Sequence, residues 1–149
     1  MNGCAQQVLA PEINEATVRI LTRHGIEVVV ADGAGCCGAL VHHMGRMGDS
    51  LGQAARNIHA WSWEREVRGL DALIINTSGC GTMVKDYGFM FREDPILKED
   101  AAWVSAMTKD VTEYLSTLDL PTKAPELLRV AYHSACSMQH GQKITDVPI

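Results

Sequence analysis

The chain has 149 residues, 46% of them hydrophobic and 21% charged, with a formal net charge of −5. That is the length and composition of one globular domain with a sizeable core, and the acidic balance excludes the basic footprint of a nucleic-acid or anionic-membrane binder. Apolar runs such as Ile26 to Ala31 are far too short to span a bilayer, no secretory leader pattern opens the sequence, and five cysteines, odd in number and scattered, do not make a disulfide-stapled mini-domain.

Asn2-Gly3-Cys4 reads as the end of a strand whose beginning lies before Met1. Pro11, with Glu12 and Glu15 behind it, marks a helix start, and Ile13, Ala16, Val18, Ile20 and Leu21 carry the helix to about His24, where Gly25 stops it. Ile26 to Ala31 is β-branched and continuously apolar, the pattern of a strand buried on both faces. Gly33-Ala34-Gly35-Cys36-Cys37-Gly38 follows. Adjacent cysteines seldom bridge one another, because the ring is strained, and flanking glycines let the backbone turn and approach a bulky ligand. This loop therefore presents two sulfurs to something.

A helical region follows from Ala39 to Arg68, broken near Gly45 to Gly48, with Asp49 or Ser50 as cap and Leu51, Ala54, Ala55, Ile58, Trp61 and Val67 as its apolar face. Gly69 ends it. Ala72 to Asn76 is a second buried strand, and Ser78-Gly79-Cys80-Gly81 follows at once. Thr82 to Tyr87 forms a helical turn and Gly88 to Pro95 an irregular stretch. Lys98 to Leu118 keeps helical rhythm through Ala102, Val104, Met107, Val111, Tyr114, Leu115 and Leu118. Pro121 to Pro125 is a connecting loop, Arg129 to Tyr132 a third strand, and Cys136 comes just behind it. Lys143 to Ile149 has no pattern and frays.

Strands alternating with helices predict an α/β fold, three-layered, with a small, mostly parallel sheet of about four strands and flanking helices. Right-handed crossovers put every strand's C-terminal end on one edge. Cys4, Cys36 with Cys37, Cys80 and Cys136 each follow a strand or presumed strand, so the topology gathers them along the rim where open α/β sheets bind ligands. In a reducing, cytoplasmic setting such cysteines are metal ligands or redox groups. A faint echo links Cys4 with Gln7 to Cys136 with Gln139, as though one strand-loop-helix corner occurred twice.

These residues resemble the cysteine-rich CCG domain found in heterodisulfide reductase subunits and in the iron-sulfur subunits of glycolate- and lactate-oxidising complexes. The matching pieces are Asn2-Gly3-Cys4, Gly35-Cys36-Cys37-Gly38 and Asn76-Thr77-Ser78-Gly79-Cys80-Gly81. The wording around the double cysteine, with Val84 to Gly88 and Tyr132 to Cys136, is most similar to the glycolate oxidase type, and the resemblance covers essentially the whole chain. It implies that residues 1–130 form a first CCG domain and 131–149 open a second, truncated unit. It implies a [4Fe-4S] cluster held by Cys4, Cys36, Cys37 and Cys80, with Cys136 as a ligand of the second unit. It implies flavin-containing partner subunits, electron transfer from a 2-hydroxy acid, no catalysis by this piece alone, and a cytoplasmic place, peripheral to the inner membrane where the complex brings it there. The sequence departs from the five-cysteine pattern at Met83, where heterodisulfide reductase carries a last cysteine. Four thiolates still suffice for an ordinary cluster, and a thioether is a soft but weak substitute.

Other readings compete. The cysteines could serve a zinc site, into which an isolated piece that has lost iron could also fall, or no metal at all in an assembly domain. Cys136 near His133 or His140 could be a reactive thiol. His42 and His43 point about 100° apart on a helix and do not share an ion easily. Trp61, Trp63 and Trp103 read as core or subunit-contact residues, and Asp86 to Phe91 as an apolar cluster that covers the cysteine rim or meets a partner. A strand absent from the start would expose a sheet edge and favour a dimer of the fragment. Gly33 and Gly35 lack the third glycine and ribose acid of a dinucleotide site.

Overall fold

The computed structural model describes residues 3–120, 129 and 131–147. Its helices come first. A short α1 (Gln6–Leu9) leads to α2 (Pro11–Arg23), which starts on Pro11 as the sequence predicts and ends at His24, whose N–H bonds back to Leu21. Pro11 loses nothing there, because a first-turn N–H has no helical partner anyway. Helices α3 (Ala39–His43) and α4 (Met47–Arg68) part at the predicted break. Neither Asp49 nor Ser50 caps α4, which starts from Arg46 with no side-chain cap. Asp49 pairs instead with Arg46 at 2.6 Å, and the buried Ser50 hydroxyl donates to the Gly38 carbonyl at 3.2 Å.

Strand β1 (Leu73–Ile75) is followed by α5 (Ser78–Lys85), α6 (Tyr87–Met90) and α7 (Lys98–Met107). The predicted helix over 98–118 breaks after Met107. Thr108–Asp110 becomes β2, parallel to β1, with Leu73 opposite Thr108 and Ile75 opposite Asp110. Helix α8 (Val111–Leu115) then restarts on a capping box. Asp110 accepts from the Thr112 N–H at 2.9 Å, and Glu113 accepts from the Asp110 N–H at 2.8 Å. Gly88 to Pro95 is not all irregular: α6 buries Tyr87, and Phe91 just beyond it is buried too.

The sheet is therefore a correction. Among the described residues it has two parallel strands in place of about four. Ile26 to Ala31 carries no ladder. A cleft of about 480 Å³, lined by Val28, Val29 and Val30 on one side and Leu73 and Ile75 on the other, lies between it and β1. Val30 is 57% exposed, so burial on both faces does not occur. β-Branched sequence favours a strand only where a neighbouring strand supplies the ladder and the packing. Of the predicted strand over 129–132, Arg129, Ala131 and Tyr132 take no strand conformation and are exposed, and Val130 lies outside the described residues. The predicted loop from Pro121 to Pro125, Met1 and Asn2 lie outside them too.

The core sits between α4, α5, α6 and α7. Ala54, Ile58, Val84, Tyr87, Ala101 and Val104 are fully buried, with Trp61 and Ile75 close behind. The apolar face predicted for α4 holds at Ala54, Ile58 and Trp61, while Val67 near its end is exposed. Trp61 stacks on Tyr87 with ring centres 6.5 Å apart, and Arg65 lies over Trp103 while pairing with Asp100 at 2.9 Å. Trp63 faces solvent. Ile58→Ala should cost about 2–5 kcal/mol, the usual range for emptying such a site, and lower Tm by about 2–4 °C per kcal/mol for a chain of this size. A thermal melt matching wild type would remove Ile58 from the core.

Candidate metal centre

Three segments bring four cysteines together. Cys4 lies in the turn before α1. Cys36 and Cys37 lie in the loop before α3. Cys80 lies in the first turn of α5, not in a loop. Among the described residues only Cys80 closely follows a strand, yet sulfurs from separate segments meet. The Cys4 and Cys36 sulfurs are 3.5 Å apart, with the Cys4 thiol as donor. Cys37 and Cys80 lie close enough for each thiol to shift the other's titration. All five cysteines of the chain are free thiols.

The electrostatics follow from this pairing. The bond to Cys36, then burial, raises the Cys4 thiol above its ordinary value. The neighbouring Cys80 thiol, then burial, pushes the Cys37 thiol far up, and Cys37 is only 2% exposed. The same neighbour relation, seen from Cys37, lowers the Cys80 thiol against the opposing effect of burial. The charges of Cys4 and Cys36 also act on Cys80, so the two pairs lie within electrostatic reach of each other. Paired thiols share protons because neighbouring thiolates repel.

The donor set is all sulfur, the choice that suits iron–sulfur clusters, zinc and cuprous ions over hard oxygen-loving cations. Among the described residues, no three His, Cys, Asp or Glu side chains converge on a single ion-sized point. The sulfurs stand two and two, and the 3.5 Å between Cys4 and Cys36 is near the roughly 3.8 Å sulfur–sulfur edge of a tetrahedral ion with Zn–S bonds of about 2.3 Å, so this spacing does not single out a cluster.

Met83 is not at this site. It is 8% exposed and packs in the hydrophobic core beside Val84. Cys136 is exposed, and the segment behind it makes a π-helical turn, Ser137–Gly141, against the start of α5. Ser137 donates to the Ser78 hydroxyl at 2.8 Å, Thr82 donates to the Ser137 carbonyl at 3.0 Å, and Gln142 donates to the Ser78 carbonyl at 2.9 Å. Cys136 is not brought to the four cysteines by any described contact, nor does a hydrogen bond join it to His133 or His140, both exposed. His42 and His43 pack edge to face, 6.1 Å apart. Phe89 is exposed while Tyr87 and Phe91 go into the core, so the 86–91 cluster is mainly packing. Among the described residues no helix is long and apolar enough to cross a membrane.

Two residues hold the double-cysteine loop: Asn57, which the sequence does not single out, and Tyr87, which lies in the 86–91 cluster expected to cover the cysteine rim or meet a partner. Asn57 on α4 accepts from the Gly35 N–H at 2.7 Å and donates to the Cys36 carbonyl at 3.0 Å. Tyr87 on α6 donates to the Cys37 carbonyl at 2.8 Å. A signal for Asn57 was available: it is a polar residue inside the apolar stripe of α4, three residues after Ala54 and four before Trp61.

A family model described as a cysteine-rich domain, CCG, matches residues 1–85. The chain is 39% identical over 145 residues to the glycolate oxidase iron-sulfur subunit of Escherichia coli (strain K12), covering 97% of the chain and 35% of that protein. It is 30% identical over 144 residues to the probable glycolate oxidase iron-sulfur subunit of Bacillus subtilis (strain 168), covering 93% and 31%. It is 26% identical over 148 residues to lactate utilization protein A of Bacillus licheniformis, covering 98% and 60%. The chain thus spans about a third of the length of the two glycolate oxidase relatives. No solved structure matches it.

Proposed function

The chain belongs to the cysteine-rich CCG family, and from that premise we propose that it holds an iron–sulfur cluster in the electron-transfer subunit of a complex that oxidises glycolate or a related 2-hydroxy acid. Cys4, Cys36, Cys37 and Cys80 are the proposed ligands. The observation that carries the reading is the pairing of these four thiols, drawn from three separate segments, at one place. The names of the two glycolate oxidase relatives, both iron-sulfur subunits, support it. Residues 1–130 act as the first CCG domain, and 131–149 begin a second.

When bound, a [4Fe-4S] cluster supplies one-electron transfer at a potential set by its surroundings. The chain's own part is to place four soft donors and to keep water away. Cys37 lies inside the core, with its carbonyl bonded by Tyr87, which walls off that side of the site. Cys4 is exposed and Cys36 half-buried, so the opposite side faces outward, toward a redox partner. Electrons come from a flavin-containing subunit and leave to an acceptor. The piece acts in the cytoplasm, peripheral to the inner membrane where the complex brings it there.

Anaerobic reconstitution with iron and sulfide tests the proposal. The expected product carries iron and acid-labile sulfide in equal amounts, with the broad visible absorption of thiolate-bound iron, and can be reduced and reoxidised. Uptake of one zinc per chain with no iron would move the protein to a structural metal site. No uptake of either would leave it as an assembly domain.

A further inference from the structure

The double-cysteine loop is held by side chains whose hydrogen bonds go to its backbone. Three successive residues each give one backbone group to the same pair. The Gly35 N–H goes to Asn57 Oδ1, the Cys36 carbonyl to Asn57 Nδ2 and the Cys37 carbonyl to Tyr87 Oη. The second Asn57 amide hydrogen closes the set on Tyr87 Oη at 3.2 Å. Both side chains are 0% exposed. Every donor of Asn57 is used, and its carbonyl faces the one N–H available, so the amide has a single orientation that satisfies the loop. Asn57 stands on α4 and Tyr87 at the start of α6, its ring stacked on Trp61. The loop is thus tied to two packed helices.

We infer that Asn57 and Tyr87 are positioning residues that set the placement and accessibility of the Cys36 and Cys37 sulfurs through the loop backbone. This deepens the cluster-holding reading and rests on it only for what the sulfurs bind. Metal-binding side chains need such outer partners, since a ligand free to swing loses affinity and tuning. A buried polar pair could instead serve stability alone, by satisfying carbonyls that would otherwise be orphaned. The two roles separate in what a conservative change moves. Tyr87→Phe keeps the ring, its stacking and nearly its volume, and deletes the two bonds of the hydroxyl, the one to the Cys37 carbonyl and the one received from Asn57. Asn57→Asp keeps the acceptor for Gly35 and deletes both donors.

The test reads the metal-free chain first. Native-state alkylation with iodoacetamide is followed at each cysteine by mass spectrometry, with exposed Cys136 as internal reference and urea melts to correct for global unfolding. In wild type, Cys37 is the slowest of the five. Tyr87→Phe should speed Cys37 about fivefold, which corresponds to about 1 kcal/mol for one lost hydrogen bond, while Cys136 keeps its rate. Asn57→Asp should do the same at Cys36. In reconstituted protein, both variants should shift the electron paramagnetic resonance signature and the reduction potential of the bound cluster. Unchanged Cys36 and Cys37 rates in both variants, after correction for stability, would overturn the inference. Wild type that takes up no iron would defeat the cluster reading while the alkylation rates still decide this one. Should a variant fold poorly, hydrogen exchange on wild type answers: the Gly35 amide should exchange as slowly as the core of α4, and exchange at open-loop rates would overturn the inference.

Discussion

Cys37→Ser is expected to abolish cluster assembly, and Cys136→Ser to leave it at the wild-type level. Cys37 is the most buried of the five cysteines, close to Cys80 and set in the hydrophobic core. A serine oxygen is a hard donor with a far higher pKa than a thiol, so it neither ionises nor suits iron in a sulfur-rich site. Loss of an outer partner of a metal ligand already costs roughly 10–100-fold in affinity, and loss of the ligand itself should exceed that. The buried hydroxyl adds a stability cost of about 1–3 kcal/mol if no partner meets it. Iron and sulfide analysis after anaerobic reconstitution reads the result, with Cys136→Ser as the control because Cys136 is exposed and no hydrogen bond among the described residues joins it to the four. Equal loading of Cys37→Ser and wild type would sink the ligand assignment.

The second large effect is expected at Gly38. This residue closes the double-cysteine loop in the left-handed region, at φ 89° and ψ −6°, and leads into α3. A Cβ there would stand 3.0 Å from the Ser50 carbonyl oxygen and 3.1 Å from the Ser50 hydroxyl. The carbonyl belongs to α4 and cannot swing aside as a long side chain could. Gly38→Ala therefore meets two penalties, a strained backbone of about 1–3 kcal/mol and a close contact with a packed helix. Gly33, in the same loop at φ 85°, has nothing within 4 Å of the same atom. Gly33→Ala should show the backbone penalty alone. Urea melts of the two variants give the difference, and cluster loading should fall for Gly38→Ala well below Gly33→Ala. Equal stabilities would mean that the approach of Gly38 to Ser50 does not matter.

The two effects meet in one loop, and that loop was the clearest feature of the sequence. Two cysteines flanked by glycines announce a tight, sulfur-presenting turn whatever lies around it. The start of α2 at Pro11, the break between α3 and α4 and the stop at Gly69 were legible for the same reason, since each depends on neighbours within a turn or two. The capping box from Asp110 to Glu113 was equally local, yet it lay hidden inside a run of helical rhythm. Periodicity over 98–118 counts apolar spacing and is blind to three residues that leave the helix to pair with β1.

Residue order alone determined which side chains are available: four thiols in the CCG pattern, a methionine in place of a fifth, an acidic and ordinary surface, and the main helices. Folding decided the rest. Ile26 to Ala31 has strand chemistry, but a strand exists only with a ladder partner, and a cleft lies between that segment and β1. Met83 stands where the family resemblance implies a fifth cysteine, but helix α5 turns it into the core. Cys4 meets Cys36, Cys37 meets Cys80, and Asn57 and Tyr87 reach the loop between, across sequence separations that no local pattern encodes. Each of these contacts forms because packed helices bring distant residues to one place, and packing is a property of the whole chain.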